Sequence, residues 1–286
     1  MEETLRSCSL RALRSRPTTV FDPITLEARN PGPMTGRGNN TYLLIGARGE
    51  AVLIDAGVGE PRHLAELERH LSDRGARLEH VLVTHAHPDH ASGAPALAAR
   101  HASARFHKTP WPEEDRRYAV RWEPIGDVDE LDAGGERLVA LHTPGHSPDH
   151  LAFWHESSRT AFTGDLVTQG SSVMIQASRG GNLAQYLAAL ERIRALSPLR
   201  LFPAHGPEID RPIELLTQYL EHRLMRERQV IAALASGHET VPAIAESIYD
   251  GLAPALMPAA RENVRAHLEK LQAEGTAFEE NGRWKT

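Results

Sequence analysis

The sequence predicts an α/β protein that ends in a smaller helical unit, and three observations carry that prediction. Short apolar runs alternate with turns and amphipathic helices up to about residue 202, strand signals then cease until the extreme C-terminus, and several strand-like runs are followed at once by histidine or aspartate. At 286 residues the chain is long for one compact domain and comfortable for about 200 residues plus an appendage.

Taken in order, the runs 41–45, 51–54, 81–84, 138–141, 151–154 and 160–163 read as strands. Residues 62–74 read as a helix, with Leu64, Leu67 and Leu71 on one side, Pro61 in the first turn and Gly75 just past the end. Asn182 is a good N-cap for a second helix carrying Leu183, Tyr186, Leu187, Leu190 and Ile193, which leads into a strand at 199–202. Asp210-Arg-Pro then opens a long helix through Leu216, Leu220, Leu224 and Ile231, so the boundary is placed between domains 1–210 and 211–286. The tail continues with a short helix near 244–248 and a third at about 258–273, where Val264, Leu268 and Leu271 are in register and Gly275 is the stop. Phe278 and Trp284 flank Asn281-Gly282, the pair suited to a two-residue type I′ hairpin turn. Three helices closed by a hairpin is the winged-helix order.

Composition excludes several classes. Hydrophobic residues at 41% and charged residues at 24% are the balance of a soluble globule, not of a disordered or fibrous chain. A net charge of −6 argues against coating nucleic acid by bulk electrostatics. The single cysteine, Cys8, rules out an intrachain disulfide and a Cys-rich metal site, and fits a reducing compartment. Apolar runs such as 51–54 and 81–83 are far shorter than the ~20 residues of a membrane helix, so no membrane partner is expected. Arg6, Arg11, Arg14 and Arg16 faintly suggest a transit peptide, but Glu2, Glu3 and the missing apolar core do not fit one. The expectation is a cytoplasmic enzyme with a frayed start.

Sixteen histidines against three lysines is the unusual number, and spacing decides its meaning. Directly after the strand 81–84 comes His85-Ala-His87-Pro-Asp89-His90. Two residues apart in an extended segment, His85 and His87 share a face and can grip one ion, while Asp89 and His90 follow on a turn to reach a second. Thr143-Pro-Gly-His146, Thr163-Gly-Asp165 and Pro203-Ala-His205 each add a ligand-type residue just after a strand. In an α/β sheet such ends gather at one rim, where so many imidazoles and carboxylates would be costly to bury without cations. A dinuclear centre follows.

This set resembles the metallo-β-lactamase superfamily, with Asp55 in Leu53-Ile-Asp55-Ala-Gly57 similar to its first motif. The resemblance spans about residues 37–206 and implies an αββα sandwich with the metals at one edge. It implies His85, His87 and His146 on one metal, Asp89, His90 and His205 on the other, Asp165 bridging them and Asp55 supporting the ligands by hydrogen bonds. Two divalent ions are expected, zinc first, with manganese and iron able to accept the same set. A bridging aspartate argues against antibiotic hydrolysis, because lactam-cleaving members generally lack it. The segment from Asn30 to Leu43 together with the winged tail is similar to the β-lactamase-like protein 2 branch, whose characterised members include endoribonucleases acting on single-stranded RNA. Near Arg37 and across Ser178-Arg-Gly-Gly-Asn182 the chain departs from that branch, which leaves the substrate open.

The function expected is therefore hydrolysis of a phosphodiester, in single-stranded RNA or a small diester, by a metal-bridging hydroxide that Asp89 orients. Arg37, Arg179 and His150 are candidates for holding substrate, although solvated arginines are at least as plain a reading of the first two and a hydrogen-bonded structural role is the better reading of His150. The alternative is a thioester or carboxylic-ester hydrolase of the hydroxyacylglutathione hydrolase type; a binding module with structural metals is a third reading. The remaining histidines read as surface or satisfied core groups. The tail from Arg211 to Thr286 carries nine basic and eleven acidic residues, the wrong sign for duplex DNA, so it is expected to pack on the hydrolase domain or to mediate self-association.

Overall fold

The computed structural model describes residues 22–32 and 35–286. The readings of Glu2, Glu3, Cys8 and the N-terminal arginines lie outside these residues. The first half contains β1 (Ile24–Glu27), β2 (Asn40–Ile45), β3 (Glu50–Ile54), α1 (Pro61–Asp73), β4 (Arg77–Leu82), α2 (Pro88–Ala91), α3 (Ala94–Arg100), β5 (Arg105–Lys108), α4 (Pro112–Asp115) and β6 (Trp122–Pro124). Its strands form a six-stranded sheet in chain order, antiparallel from β1 to β3 and parallel from β3 to β6. The second half contains β7 (Glu130–Asp132), β8 (Arg137–His142), β9 (Leu151–His155), β10 (Thr160–Gly164), α5 (Leu183–Ala195) and β11 (Arg200–Pro203), in a five-stranded sheet of order β11-β10-β9-β8-β7.

Side-chain alternation explains the layers. In β2, β3 and β4, Leu43, Leu53 and Val81 face outward onto Leu64, Leu67 and Leu71 of α1. Their neighbours Tyr42, Leu44, Val52, Ile54 and Leu82 face the other way, against Leu138, Ala140, Leu151, Phe153 and Phe162 of the second sheet. That sheet's far side, with Leu141, Ala152, Trp154 and Leu201, is covered by Leu183, Tyr186, Leu190 and Ile193 of α5. The result is the αββα sandwich, helices outside and sheet against sheet within.

The tail comprises α6 (Pro212–Ala235), α7 (Val241–Ile248), α8 (Met257–Ala273), β12 (Phe278–Glu280) and β13 (Arg283–Lys285). Asn281 and Gly282 both adopt positive φ, 53° and 77°, as a type I′ turn requires. Val230, Ile244, Val264, Leu268, Leu271 and Trp284 form the tail's own core. Helix α6 serves both units: Leu216, Tyr219 and Leu220 join the sandwich core, and Val230, Ala233 and Leu234 the tail core. No helix of the described residues is long and apolar enough to cross a membrane.

Candidate metal centre

The rim at the C-terminal ends of β3, β4, β10 and β11 and the β8–β9 loop collects Asp55, the 85–90 segment, His146, Asp165 and His205. Local sequence makes this convergence feasible. Pro88 occupies the first turn of α2, with His87 extended at its N-cap, so the chain turns sharply between His87 and His90. Asp55, just past the end of β3, has φ 63°, a left-handed conformation that Asp tolerates better than most residues. Gly164, at φ 47°, is needed for access: a Cβ there would lie 2.8 Å from His150 Nε2.

Two groups of side chains in this rim could hold a metal ion. His85, His87, His146 and Asp165 form one, Asp89, His90 and His205 the other, and within each group the ligand atoms lie within 4.8 Å of one another. His87 Nδ1 is 2.9 Å from His85 Nε2 and 3.0 Å from His146 Nε2. A ring nitrogen has one in-plane lone pair or one proton, so it cannot satisfy both neighbours as hydrogen bonds; a cation at the common point satisfies all three. Asp165 faces both groups. Its Oδ2 lies 3.4 Å from His146 Nε2 and 4.0 Å from His85 Nε2, and its Oδ1 lies 3.4 Å from His90 Nε2 and 3.3 Å from His205 Nε2. Asp89 Oδ2 is 3.4 Å from His90 Nε2 and 3.3 Å from His205 Nε2. Among the described residues, the buried atoms His90 Nε2 and Asp165 Oδ1 have no hydrogen-bond partner. Buried polar atoms are seldom left so. The donor set therefore fits divalent cations.

The groups behind the rim fix which ring nitrogen points inward. His90 Nδ1 donates to Asp55 Oδ2 at 2.8 Å, and Asp55 Oδ1 accepts the Thr84 N–H at 2.8 Å. His146 Nδ1 donates to the Met174 carbonyl at 2.9 Å. These bonds leave Nε2 of both rings as lone-pair donors toward the cluster. Sequence reasoning did not single out the groups that hold the loops themselves. The Ala86 N–H, between His85 and His87, donates to Asp149 Oδ2 at 2.8 Å, and its carbonyl accepts the Tyr118 hydroxyl at 2.7 Å. Fully buried Lys108 joins Asp149, at 3.1 Å, to Asp115, at 2.6 Å. Buried Asn39 donates from Nδ2 to the Asp89 carbonyl at 2.7 Å.

Electrostatics matches the geometry. Burial, reinforced by His90 and His87, holds His85 well below the usual imidazole range, and burial with His146 takes His87 down to about 3. Both rings are neutral, as ligands must be. Burial opposes a charge on His90, yet Asp89, Asp55 and Asp165 outweigh it and hold His90 well above its ordinary value. His205, likewise opposed by burial, is raised to about 10 by Asp165 and Asp89. Burial would raise both carboxyls, but His90 and His205 pull Asp89 and Asp165 well below the usual range. Without metal, protons on these two histidines take the part of the positive charge that the carboxylates call for.

The three substrate candidates fare differently. Arg37 is exposed on the loop that leads to Asn39. Arg179 pairs with Glu114 at 3.1 Å, and Glu114 also accepts Arg117. His150 is not a substrate contact: it is fully buried, its Nδ1 meets Thr143 Oγ1 at 2.8 Å and its Nε2 accepts the Asp165 N–H at 3.0 Å, so neither nitrogen is available. Burial keeps it neutral, well below the ordinary imidazole value, as an acceptor must be. Of the other histidines, His63 Nε2 is 2.8 Å from Thr41 Oγ1 and His101 is 2.9 Å from Glu68. His80 and His107 do meet, at 2.9 Å, across neighbouring strands.

An αββα sandwich with a histidine–aspartate cluster at its rim and a winged tail defines a class of metal-binding hydrolases. The description "Metallo-beta-lactamase superfamily" matches residues 34–205, and "Beta-lactamase associated winged helix domain" matches residues 240–284. The chain belongs to the metallo-β-lactamase superfamily, and it is a hydrolase. It is 31% identical over 263 residues to a "Beta-lactamase-like protein 2 homolog" of Caenorhabditis elegans, covering 90% of this chain and 86% of the relative. It is 33% identical over 214 residues to "Atrochrysone carboxyl ACP thioesterase dmxR1" of Cryptosporiopsis sp., covering 74% of this chain and 62% of the relative. Among solved structures, a metallo-β-lactamase family protein of Thermus thermophilus shares the fold at a TM-score of 0.76 and 24% identity, covering 92% of this chain and 98% of that one.

Proposed function

We propose that this chain is a two-metal hydrolase in which His85, His87 and His146 hold one divalent ion, Asp89, His90 and His205 hold the other, and Asp165 touches both. The observation that carries the reading is Asp165, whose two carboxylate oxygens are turned one to each histidine group. Zinc suits the imidazole-rich set, and manganese or iron would accept it. A pair of such ions supplies, when bound, a water acidified toward neutrality and a Lewis acid for the scissile group's oxygen. The chain's residues do the rest. Asp89, with 20% of its side chain exposed at the rim, accepts a proton from the attacking water at its carboxylate, while Asn39 holds its backbone carbonyl in place. Burial of His85 and His90 keeps bulk water from the inner side of the centre.

Thioester or ester hydrolysis is the first reading of the bond. It is favoured by the likeness to a protein named as an acyl-carrier thioesterase and by the pairing of Arg179 with Glu114, which commits that guanidinium to a carboxylate instead of a phosphate. Phosphodiester hydrolysis, single-stranded RNA included, is the second, favoured by exposed Arg37 beside the loop that holds Asp89. Metal-replete protein assayed side by side on an acyl thioester, bis(p-nitrophenyl) phosphate and an oligoribonucleotide separates the two. Turnover of the thioester alone supports the first reading; turnover of the phosphodiesters alone replaces it with the second.

A further inference from the structure

Between Asp165 and α5 the chain passes through residues 166–182, and the C-terminal unit grips that segment where it meets the metal centre. Met174 supplies the carbonyl that orients His146. The two residues flanking Met174 are both held from the tail. Arg223 of α6 donates a guanidinium N–H to the Val173 carbonyl, and Asn263 of α8 accepts the Ile175 N–H at 3.1 Å. Arg223 and Asn263 are joined to each other at 3.3 Å. The same guanidinium lies 5.2 Å over the ring of Tyr186, whose hydroxyl donates to the Leu166 carbonyl at 2.7 Å, one residue beyond Asp165. Tyr219 completes the grip: its hydroxyl accepts the Thr168 N–H at 3.0 Å and lies 2.8 Å from each of the Thr168 and Ser171 carbonyls, one of which takes its proton.

We propose that Arg223 and Asn263 are positioning residues through which the C-terminal unit sets the ring of His146. The proposal rests on the reading of His146 as a metal ligand. The Met174 carbonyl can only accept, so it fixes the proton on His146 Nδ1 and leaves Nε2 as the inward lone pair. A carbonyl in a loop drifts unless its peptide neighbours are fixed, and here the peptide on each side is tied to one joined pair, buried Arg223 and half-buried Asn263. Arg223 is 2% exposed, its partners are the neutral Val173 carbonyl, Asn263 and Tyr186, and its Nε is without a hydrogen bond. Replacing it by an apolar residue would strand the Val173 carbonyl and remove a donor from Asn263 Oδ1, so the grip on the loop is what its burial secures. Its placement makes sense as a clamp on the loop.

The test measures metal affinity of the full-length protein by chelator competition with Zn2+, and the visible spectrum of the Co2+ form. Asn263→Leu and Arg223→Met are expected to weaken one of the two bound ions by about tenfold to a hundredfold, to alter the Co2+ bands, and to leave the second ion unchanged. Asn263→Asp, which keeps an acceptor oxygen for Ile175 and Arg223, restores the affinity. Leu268→Ala, a cut in the tail core away from the clamp, lowers the melting temperature without changing either affinity. Wild-type affinity in Asn263→Leu and Arg223→Met, in a protein that binds two ions, overturns the proposal alone. So does equal loss in Leu268→Ala. A wild-type protein that binds no pair of ions overturns both this proposal and the reading beneath it.

Discussion

Replacing Asp55 by Asn isolates one oxygen-for-nitrogen exchange behind the metal centre. Asp55 is 2% exposed, and its carboxylate accepts Thr84 N–H at 2.8 Å, the Thr84 hydroxyl at 3.0 Å and His90 Nδ1–H at 2.8 Å. Asparagine keeps one acceptor for Thr84 and tolerates the left-handed backbone, whereas alanine would add roughly 1–2 kcal/mol of backbone strain. Toward His90 it presents an amide N–H. Two donors then face each other, which costs about 1–3 kcal/mol if both stay buried and unsatisfied. The escape is for the His90 ring to carry its proton on Nε2, the atom that points at the cluster, where the proton competes with a metal. A loss of about tenfold to a hundredfold in affinity for the ion held by Asp89, His90 and His205 is expected, roughly 1.4–2.8 kcal/mol. Chelator competition on the variant reads it directly. Wild-type affinity for both ions would refute the role given to Asp55.

Four further outcomes are expected. Asp89→Ala lowers turnover by about 10²- to 10⁴-fold while the ion of His85, His87 and His146 stays bound; unchanged kcat with metal retained contradicts the proton-handling role. Metal uptake at pH 7 releases protons from His90 and His205, the latter raised to about 10, whereas His87, lowered to about 3, contributes none. Calorimetry in buffers of different ionisation heat must therefore show a buffer dependence. By the same sign, the stability His205 gives the metal-free protein is complete below about pH 6.5 and lost as pH rises toward 10. Lys108→Met strands Asp149 and Asp115 beside the 85–87 segment and is expected to cost about 3–5 kcal/mol in urea unfolding; a loss below about 1 kcal/mol would show that the pair needs no buried cation.

The sequence made the centre legible because its ligands follow strand ends, so a one-dimensional pattern maps onto one rim. His85, His87, Asp89 and His90 announce themselves by spacing, and His146, Asp165 and His205 by the strands before them. Strands β1, β5, β6 and β7 were not legible, being only three or four residues long, too short for alternation to register. The supports were not legible either. Lys108, Asp149 and Asn263 are single polar residues without a motif, Asn39 sits unmarked in the 30–43 segment, and Asn263 meets Ile175 across 88 positions of chain. His150 could be read either way from its place four residues after His146, and the hydrogen-bonded structural reading is the one that matches its turn inward to the Asp165 backbone.

Crystals of the full chain grown with Zn2+ and read by anomalous scattering address the central claim most directly. Two peaks are expected, one among His85, His87 and His146 and one among Asp89, His90 and His205, with an Asp165 oxygen on each. A single peak, or ions bound only elsewhere while these side chains keep their positions, would contradict it.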